Sequence, residues 1–246
     1  MQLYKLLKGL FSHLFSPSIL KHNEQHFRRI TYFFYKGNSA ACNICGVGLR
    51  QFVKLDNGRE LCPNCGSLPR TRRLYQVLLD RQLLKGRVLH FSPPKCLRLR
   101  FRKYPNIEYI SSDYEKEFEA TAQYDLTDIP LPDEHFDLLI VFHILEHIEQ
   151  DVRAMSELFR VLKNGGVGLI QTPFKEGGIY EDPSIKTAAD RLHHFGQRDH
   201  VRIYSIAGLK KRLESCGFQV TTLDFSESTN NYFGFKEQES ILLVTK

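Results

Sequence analysis

Two apolar periodicities alternate along the chain, and the switches between them outline its elements. Leu3, Leu6, Leu7, Leu10, Phe11 and Leu14 recur at helical spacing, with Lys5, Lys8 and His13 between them. They predict an amphipathic helix that Ser16-Pro17-Ser18 ends. Residues 19–35 read as a second short helix, carrying Arg28 and Arg29 before the aromatic run Tyr32-Phe33-Phe34-Tyr35. The helical period returns from Leu68 to Leu84 through Leu74, Val77 and Leu78. Beyond it, short apolar runs predict strands at 88–91, 107–111, 136–142, 167–172, 218–225 and 241–245. Helices are expected between them, at about 95–103, 152–162 and 206–215. The run 136–142 is nearly continuous, as a strand buried on both faces requires. Asn164-Gly165-Gly166 is expected to stop the 152–162 helix with a left-handed glycine cap. Alternating strands and helices with short links predict a doubly wound α/β domain on a mostly parallel sheet.

The 246 residues, 42% of them hydrophobic, suffice for one such domain and a small module. A formal net charge of +6 permits an anionic partner without demanding one. The N-terminal run is broken by lysines and lacks a small-residue cleavage site, so it does not read as a secretory signal. It is also too short to span a bilayer. A basic helix with a Leu/Phe face can make peripheral membrane contact through residues 1–15. The same face suits docking on the protein itself or on a second subunit, which is the favoured reading.

Cys42, Cys45, Cys62 and Cys65 form two Cys-x-x-Cys pairs separated by sixteen residues. Two such turns facing each other make a tetrahedral sulfur cage, the closed geometry of a structural zinc site. Iron in a rubredoxin-like site uses the same ligands. No base or open coordination position adjoins the pairs, so the expected ion is structural Zn2+. Cys96 and Cys216 are single and read as small buried apolar residues. Reduced, metal-bound thiols without a disulfide framework point to the cytoplasm, or to its membrane face if the first helix binds lipid.

In a doubly wound sheet, ligands bind beyond the carboxyl ends of the strands. The first strand ends His90-Phe91-Ser92-Pro93. The second ends Ser111-Ser112-Asp113, where a carboxylate can accept both hydroxyls of a ribose. Asp125 follows in Tyr124-Asp125-Leu126-Thr127-Asp128. The third run ends Phe142-His143-Ile144-Leu145-Glu146-His147-Ile148. On a helix His143, Glu146 and His147 would share one face, with Glu146 and His147 read as a polar network under the pocket. The stretch 173–204 is long for a connection, and such loops are usually functional. It carries Tyr180-Glu181-Asp182, His193-His194 and His200-Val201-Arg202 and is expected to act as a lid. Its histidines are candidate bases, with Glu181 and Asp182 to orient one of them.

From Asp125 to Gly166 the chain reads Asp-Leu-Thr-Asp-Ile-Pro-Leu-Pro-Asp, Phe-Asp-Leu-Leu-Ile, His-Ile-Leu-Glu-His-Ile and Glu-Leu-Phe-Arg-Val-Leu-Lys-Asn-Gly-Gly. This resembles the class I S-adenosylmethionine-dependent methyltransferases, nearest to their type 11 group, and the resemblance covers about residues 85–246. It implies a Rossmann-like seven-stranded sheet whose last strand, 241–245, runs antiparallel. It implies S-adenosyl-L-methionine as cofactor, bound by His90, Phe91, Ser92, Pro93, Asp113, Tyr114, Asp125, Leu126 and Phe142. Asp113 would hold the ribose, and Asp125 would meet the adenine amino group with Leu126 beside the ring. His143 would line the place where methyl meets acceptor. A similar Glu-x-x-Glu-His pattern holds a divalent metal in some relatives; here His143 replaces its first acid, and Glu146 and His147 are the remaining two positions. One departure stands out: the family's glycine-rich turn after the first strand is here His90-Phe91-Ser92-Pro93-Pro94-Lys95, without glycine.

Methyl transfer asks mainly for alignment of nucleophile, methyl and sulfur, and a hydroxyl acceptor also needs a base within reach. The expected reaction is methylation of oxygen, nitrogen second, on a small-molecule or glycan-like acceptor. The catalytic candidates are His143 and the lid residues His193, His194 and His200. RNA base methylation is the rival reading, since some ribosomal-RNA guanine methyltransferases carry a zinc module ahead of this fold. Arg28, Arg29, Arg70, Arg72, Arg73, Arg98, Arg100 and Arg102 would then supply phosphate contacts. A non-catalytic scaffold is the third. The chain accordingly divides into an N-terminal helical segment (1–38), a zinc ribbon (39–68) and a methyltransferase domain (69–246) with its lid at about 173–204.

Overall fold

The structure, a computed structural model, describes the chain apart from residues 1, 15, 17, 18, 20–22, 57, 228 and 229, and apart from the side chains of 2, 3, 5, 7, 8 and 10. The expected stop at Pro17-Ser18 and residues 20–22 of the second predicted helix therefore lie outside the described residues. The chain forms two compact units. The first comprises 1–81, 94–103 and 226–239; the second comprises 82–93, 104–225 and 240–246.

In the first unit, α1 (Gln2–Leu14) and α2 (Glu24–Phe33) meet through the rings of Phe11 and Phe27, 4.6 Å apart. Part of the apolar face of α1 thus docks on its own chain, while Leu6 and Leu14 stay exposed. Among the described residues no helix is long and apolar enough to cross a membrane. Two short antiparallel ribbons follow, β1 (Lys36–Ala41) with β2 (Gly48–Leu49) and β3 (Val53–Lys54) with β4 (Glu60–Leu61). Next comes α3 (Pro69–Asp80), with proline in its first turn, where the missing N–H costs nothing. Its Arg72 is fully buried. The guanidinium donates to the carbonyls of Phe233 (2.6 Å), Ser67 (2.8 Å), Glu60 (3.1 Å) and Gly234, and lies over the Phe52 ring. One side chain therefore ties the second ribbon to the 226–239 segment. α4 (Lys95–Phe101) also belongs to this unit and buries Leu97, Arg98 and Phe101.

The second unit carries the main sheet. In chain order its elements are β5 (Gly86–Phe91), β6 (Ile107–Ser112), β7 (Phe136–Phe142), α5 (Asp151–Val161), β8 (Leu162–Gln171), β9 (Tyr180–Glu181), α6 (Ala188–Phe195), β10 (Arg202–Ile203), α7 (Ile206–Ser215), β11 (Gln219–Ser226) and β12 (Gln238–Thr245). The sheet order is β11-β12-β8-β7-β5-β6. Strands β6, β5, β7 and β8 run parallel, and β12 is antiparallel to β8, as expected for the last strand. The apolar faces of α5 and α7 close over Leu89, Leu139, Val141, Ile170 and Leu242 to form the core.

Three local expectations change. Among the described residues the sheet has the six strands that periodicity marks rather than the seven the resemblance implies, and beyond β6 a parallel bridge joins Ser112 to Ala122. The sequence Glu115-Lys116-Glu117-Phe118-Glu119 there has no apolar face to bury. The left-handed glycine is not a helix cap, because α5 ends at Val161 and Leu162 is already extended. Gly165 (φ 74°) instead sits in a bulge, where pairing slips from Phe136–Leu162 to Leu138–Val167 and both Leu162 and Leu138 stay buried. The 173–204 stretch contains a helix, α6, and the antiparallel ribbon β9–β10.

Candidate functional site

The four cysteines come together as two matched turns. In each, the glycine after the second cysteine adopts a left-handed conformation, Gly46 at φ 74° and Gly66 at φ 77°. Each glycine N–H reaches back to the carbonyl of the first cysteine, Gly46 to Cys42 (2.8 Å) and Gly66 to Cys62 (2.9 Å). The glycine at this place is required by the backbone, which a Cβ would strain. Sulfur–sulfur separations are 3.6 Å for Cys42–Cys65 and 3.8 Å for Cys45–Cys62, and all four atoms lie within 4.8 Å of one another. A tetrahedron with metal–sulfur bonds of about 2.3 Å has edges of about 3.8 Å. The thiols are free of disulfides. Hydrogen bonds from Cys45, Cys62 and Cys65 pull Cys42 down as an acid, and the thiolate so favoured pushes Cys62 and Cys65 up, Cys65 to about 12. Four thiolates in this space need a cation between them.

In the second unit, the carboxyl ends of β5, β6 and β7 lie side by side, since His90 pairs with Ser111 and with Ile140. The glycine-free turn after β5 follows a glycine-like path. Ser92 takes φ 43°, a conformation that costs a non-glycine residue on the order of 1–2 kcal/mol. It is held there by its N–H on the Ser112 carbonyl (2.7 Å) and by its Oγ, which donates to Asp113 Oδ1 (2.6 Å). Asp113 is buried, and its Oδ2 accepts from the Phe118 N–H (2.9 Å). The next segment is fixed against β6: Asp113 N–H donates to the Ala122 carbonyl, and Ser112 Oγ accepts from Tyr124 N–H. Asp125 Oδ1 caps its own turn by accepting from Thr127 N–H (2.8 Å) and Oγ1 (2.7 Å), and Leu126 is buried. Phe91 and Pro93 are buried, Phe142 is half-buried, and Tyr114 is exposed. His90 faces away into the sheet, where burial holds it neutral with its pKa lowered to about 3 and Tyr109 Oη lies 3.2 Å from its Nδ1.

Past β7 the expected helix is a single 3-10 turn, Leu145–His147, and His143 precedes it in the left-handed region at φ 58°. The His143 N–H donates to the Gln171 carbonyl at the end of β8 (2.8 Å), which sets the residue on the ligand edge of the sheet. Its Nδ1 stands 3.3 Å from Glu146 Oε1. The long insertion delivers His200 to the same place: Val201 N–H donates to the Glu146 carbonyl (2.9 Å), and the His200 ring packs edge-on against His147, 4.7 Å away. Burial is the main cause that lowers the His200 pKa below the ordinary value, and neighbouring His147 adds to it.

His193 and His194 lie elsewhere, exposed on α6, with His194 Nδ1 2.6 Å from Tyr180 Oη. Glu181, expected to orient a histidine, pairs with Arg202 and Arg212, which hold its carboxyl down to about 2. Asp182 closes its own turn on Ser184. Arg202 is buried and also donates to the carbonyls of Leu145, Ile148 and Glu149, clamping the end of the insertion to the 3-10 turn. That clamp was not foreseen, because its partners are more than fifty residues away in sequence. The helix α6 could have been: Thr187 caps the Asp190 N–H, and Gly196 supplies the left-handed stop.

Residues 98–170 match the family model described as "Methyltransferase domain". The chain is 34% identical over 96 residues to a protein of Mycolicibacterium smegmatis named "Probable S-adenosylmethionine-dependent methyltransferase", a match covering 39% of this chain and 34% of that one. It is 32% identical over 120 residues to an uncharacterized protein of Methanocaldococcus jannaschii, covering 44% of this chain and 57% of that one. The chain thus spans between about a third and just over half of these relatives. Among solved structures, the cyclase SpnF superposes with a TM-score of 0.50 at 17% identity, covering 72% of this chain and 82% of that one. That likeness is one of fold, and fold alone does not set the reaction.

Proposed function

Because the domain covered by these matches belongs to the class I S-adenosylmethionine-dependent methyltransferases, we propose that the chain transfers a methyl group from that cofactor to an oxygen of a small-molecule or glycan-like acceptor. The observation that carries the cofactor half is the strained Ser92 turn locked onto Asp113. A backbone that adopts the glycine conformation without glycine, with a buried carboxylate beside it, is spending stability on a site. S-Adenosylmethionine supplies a methyl already activated on a sulfonium. Asp113 receives the ribose hydroxyls. The Asp125 carboxylate receives the adenine amino group, and Leu126 borders the ring.

The acceptor half rests on His143. Its main-chain bond to Gln171 and the contact of its Nδ1 with Glu146 fix the imidazole at the ligand edge of the sheet, where a hydroxyl acceptor needs a base. A base so placed favours a hydroxyl acceptor over one that is already nucleophilic. RNA is a weaker candidate, since Arg72, Arg73 and Arg98 are buried and Arg28 is paired with Glu24. Those side chains are spent on the fold. In the first unit we assign zinc to the four-thiol cage, as a structural ion that holds the two turns together.

The test is transfer of a tritiated methyl group from the cofactor to a panel of hydroxyl, amine and RNA acceptors. Label in a hydroxyl-bearing metabolite, lost in His143→Ala, is the expected result. Label confined to RNA or amines would overturn the oxygen assignment.

A further inference from the structure

Glu146 is 1% exposed, and neither of its carboxylate oxygens accepts a hydrogen bond from a described residue. A buried charge in that condition is costly unless something else neutralises it. Its surroundings are imidazoles. Glu146, His147 and His200 each turn a ligand atom to a common point, all within 4.8 Å of one another. His200 is buried, and His147 is oriented by Asp199, whose Oδ2 lies 3.1 Å from Nδ1. That contact leaves Nε2 of His147 as the free ligand atom, the arrangement by which carboxylates set metal-binding histidines. The pieces arrive from two distant stretches of chain. They are held by the bond from Val201 N–H to the Glu146 carbonyl and by the Arg202 clamp.

We propose that Glu146, His147 and His200 form a binding site for a first-row transition dication, separate from the four-thiol cage. Two imidazoles and one carboxylate suit zinc, cobalt, manganese or ferrous iron, and a set of three leaves coordination positions open. Ion–ligand bonds of about 2.0–2.2 Å would hold the three ligand atoms about 3.4 Å apart, inside their present limit of 4.8 Å. The carboxylate has two oxygens, so one can bind the ion while the other keeps its contact with His143. The role of the ion rests on the methyl-transfer reading. An acceptor hydroxyl in an open position would lose its proton more readily, and His143 would take that proton.

The experiment uses the full chain, dialysed against EDTA and shown by metal analysis to retain zinc in its cage, then titrated with cobalt chloride. The expected result is one further equivalent of cobalt whose visible bands lack sulfur-to-metal charge transfer, with a melting temperature that rises with cobalt concentration. Glu146→Gln and His200→Ala should each lose that uptake while keeping cage zinc and S-adenosylhomocysteine binding. Should either buried substitution prevent folding, Asp199→Asn decides, since Asp199 is exposed and the variant should weaken cobalt affinity about 10- to 100-fold. Wild-type protein that takes up no cobalt beyond the cage would overturn the proposal. So would Asp199→Asn, or folded Glu146→Gln and His200→Ala, binding cobalt as tightly as wild type. Loss of the methyl-transfer reading shows differently, as cobalt uptake without S-adenosylhomocysteine binding.

Discussion

Replacing Asp113 by asparagine separates the work this side chain does for the fold from the work it does for a ligand. The carboxylate already accepts two internal hydrogen bonds, from Ser92 Oγ at 2.6 Å and from Phe118 N–H at 2.9 Å. A carboxylate has about four lone-pair sites, so two remain for the hydroxyls of a ribose. Asparagine offers one oxygen and turns an NH2 group toward one of the donors. A hydrogen bond to a charged group contributes about 1.5–3 kcal/mol. Its loss weakens S-adenosylhomocysteine binding by roughly 10- to 100-fold. The internal bonds suffer too, and stability should fall by about 1–3 kcal/mol. Ser92→Ala is the control: it removes one internal bond and leaves the carboxylate. It should lower stability by about 1 kcal/mol and affinity by no more than about threefold. The assay is calorimetry with S-adenosylhomocysteine beside urea denaturation of the same zinc-loaded samples. If Asp113→Asn loses stability but keeps its affinity within twofold, the carboxylate serves the turn alone and the cofactor assignment is wrong.

His143→Ala should lower turnover by about 10²- to 10⁴-fold with cofactor affinity unchanged, whereas the exposed His193→Ala and His194→Ala should stay near wild type. Equal losses in all three variants, followed with a tritiated methyl donor, would remove the distinction drawn here. The double variant Cys62→Ser, Cys65→Ser should lose its cage metal and unfold the two matched turns; full zinc occupancy by metal analysis would refute the assignment. Glu181 sets an acid limit. Arg212 and Arg202 hold its folded pKa at about 2, below the ordinary value of about 4.3, so its contribution is complete above the latter and is lost as pH falls toward 2. A third of this side chain is exposed and solvent screens the pair, so the effect is on the order of 1 kcal/mol. Denaturation from pH 5 to pH 2 should show a shallower stability loss in Glu181→Gln than in wild type, and identical slopes would exclude the linkage.

The parallel sheet was legible because its strands are written as local patterns. Phe136–Phe142 and Ile206–Ser215 fall on the residues that periodicity predicts, since burial on both faces or along one stripe leaves a direct mark. The four cysteines were legible for a similar reason, their turns being five-residue units. The six strands that periodicity marks are the six of the sheet among the described residues, and the seventh came from the resemblance alone. Legibility ended where the site is assembled over distance. Glu146 and His147 reveal nothing of His200, because only the folded insertion brings that residue back to the end of β7. Among the arginines, a charge that looks like a solvated face in sequence proved, at Arg72, to be a buried cross-link satisfied by four carbonyls. Sequence spacing carries no trace of such partners.

The central claim is that the second unit binds S-adenosylmethionine at the carboxyl ends of β5 and β6. The most direct test is a crystal structure of the zinc-loaded protein with S-adenosylhomocysteine. The account predicts ribose hydroxyls on Asp113, adenine beside Leu126 and the amino group on Asp125, with the sulfur turned toward His143. Density for the ligand elsewhere, or none at saturating concentration with the Ser92 turn unchanged, would contradict it.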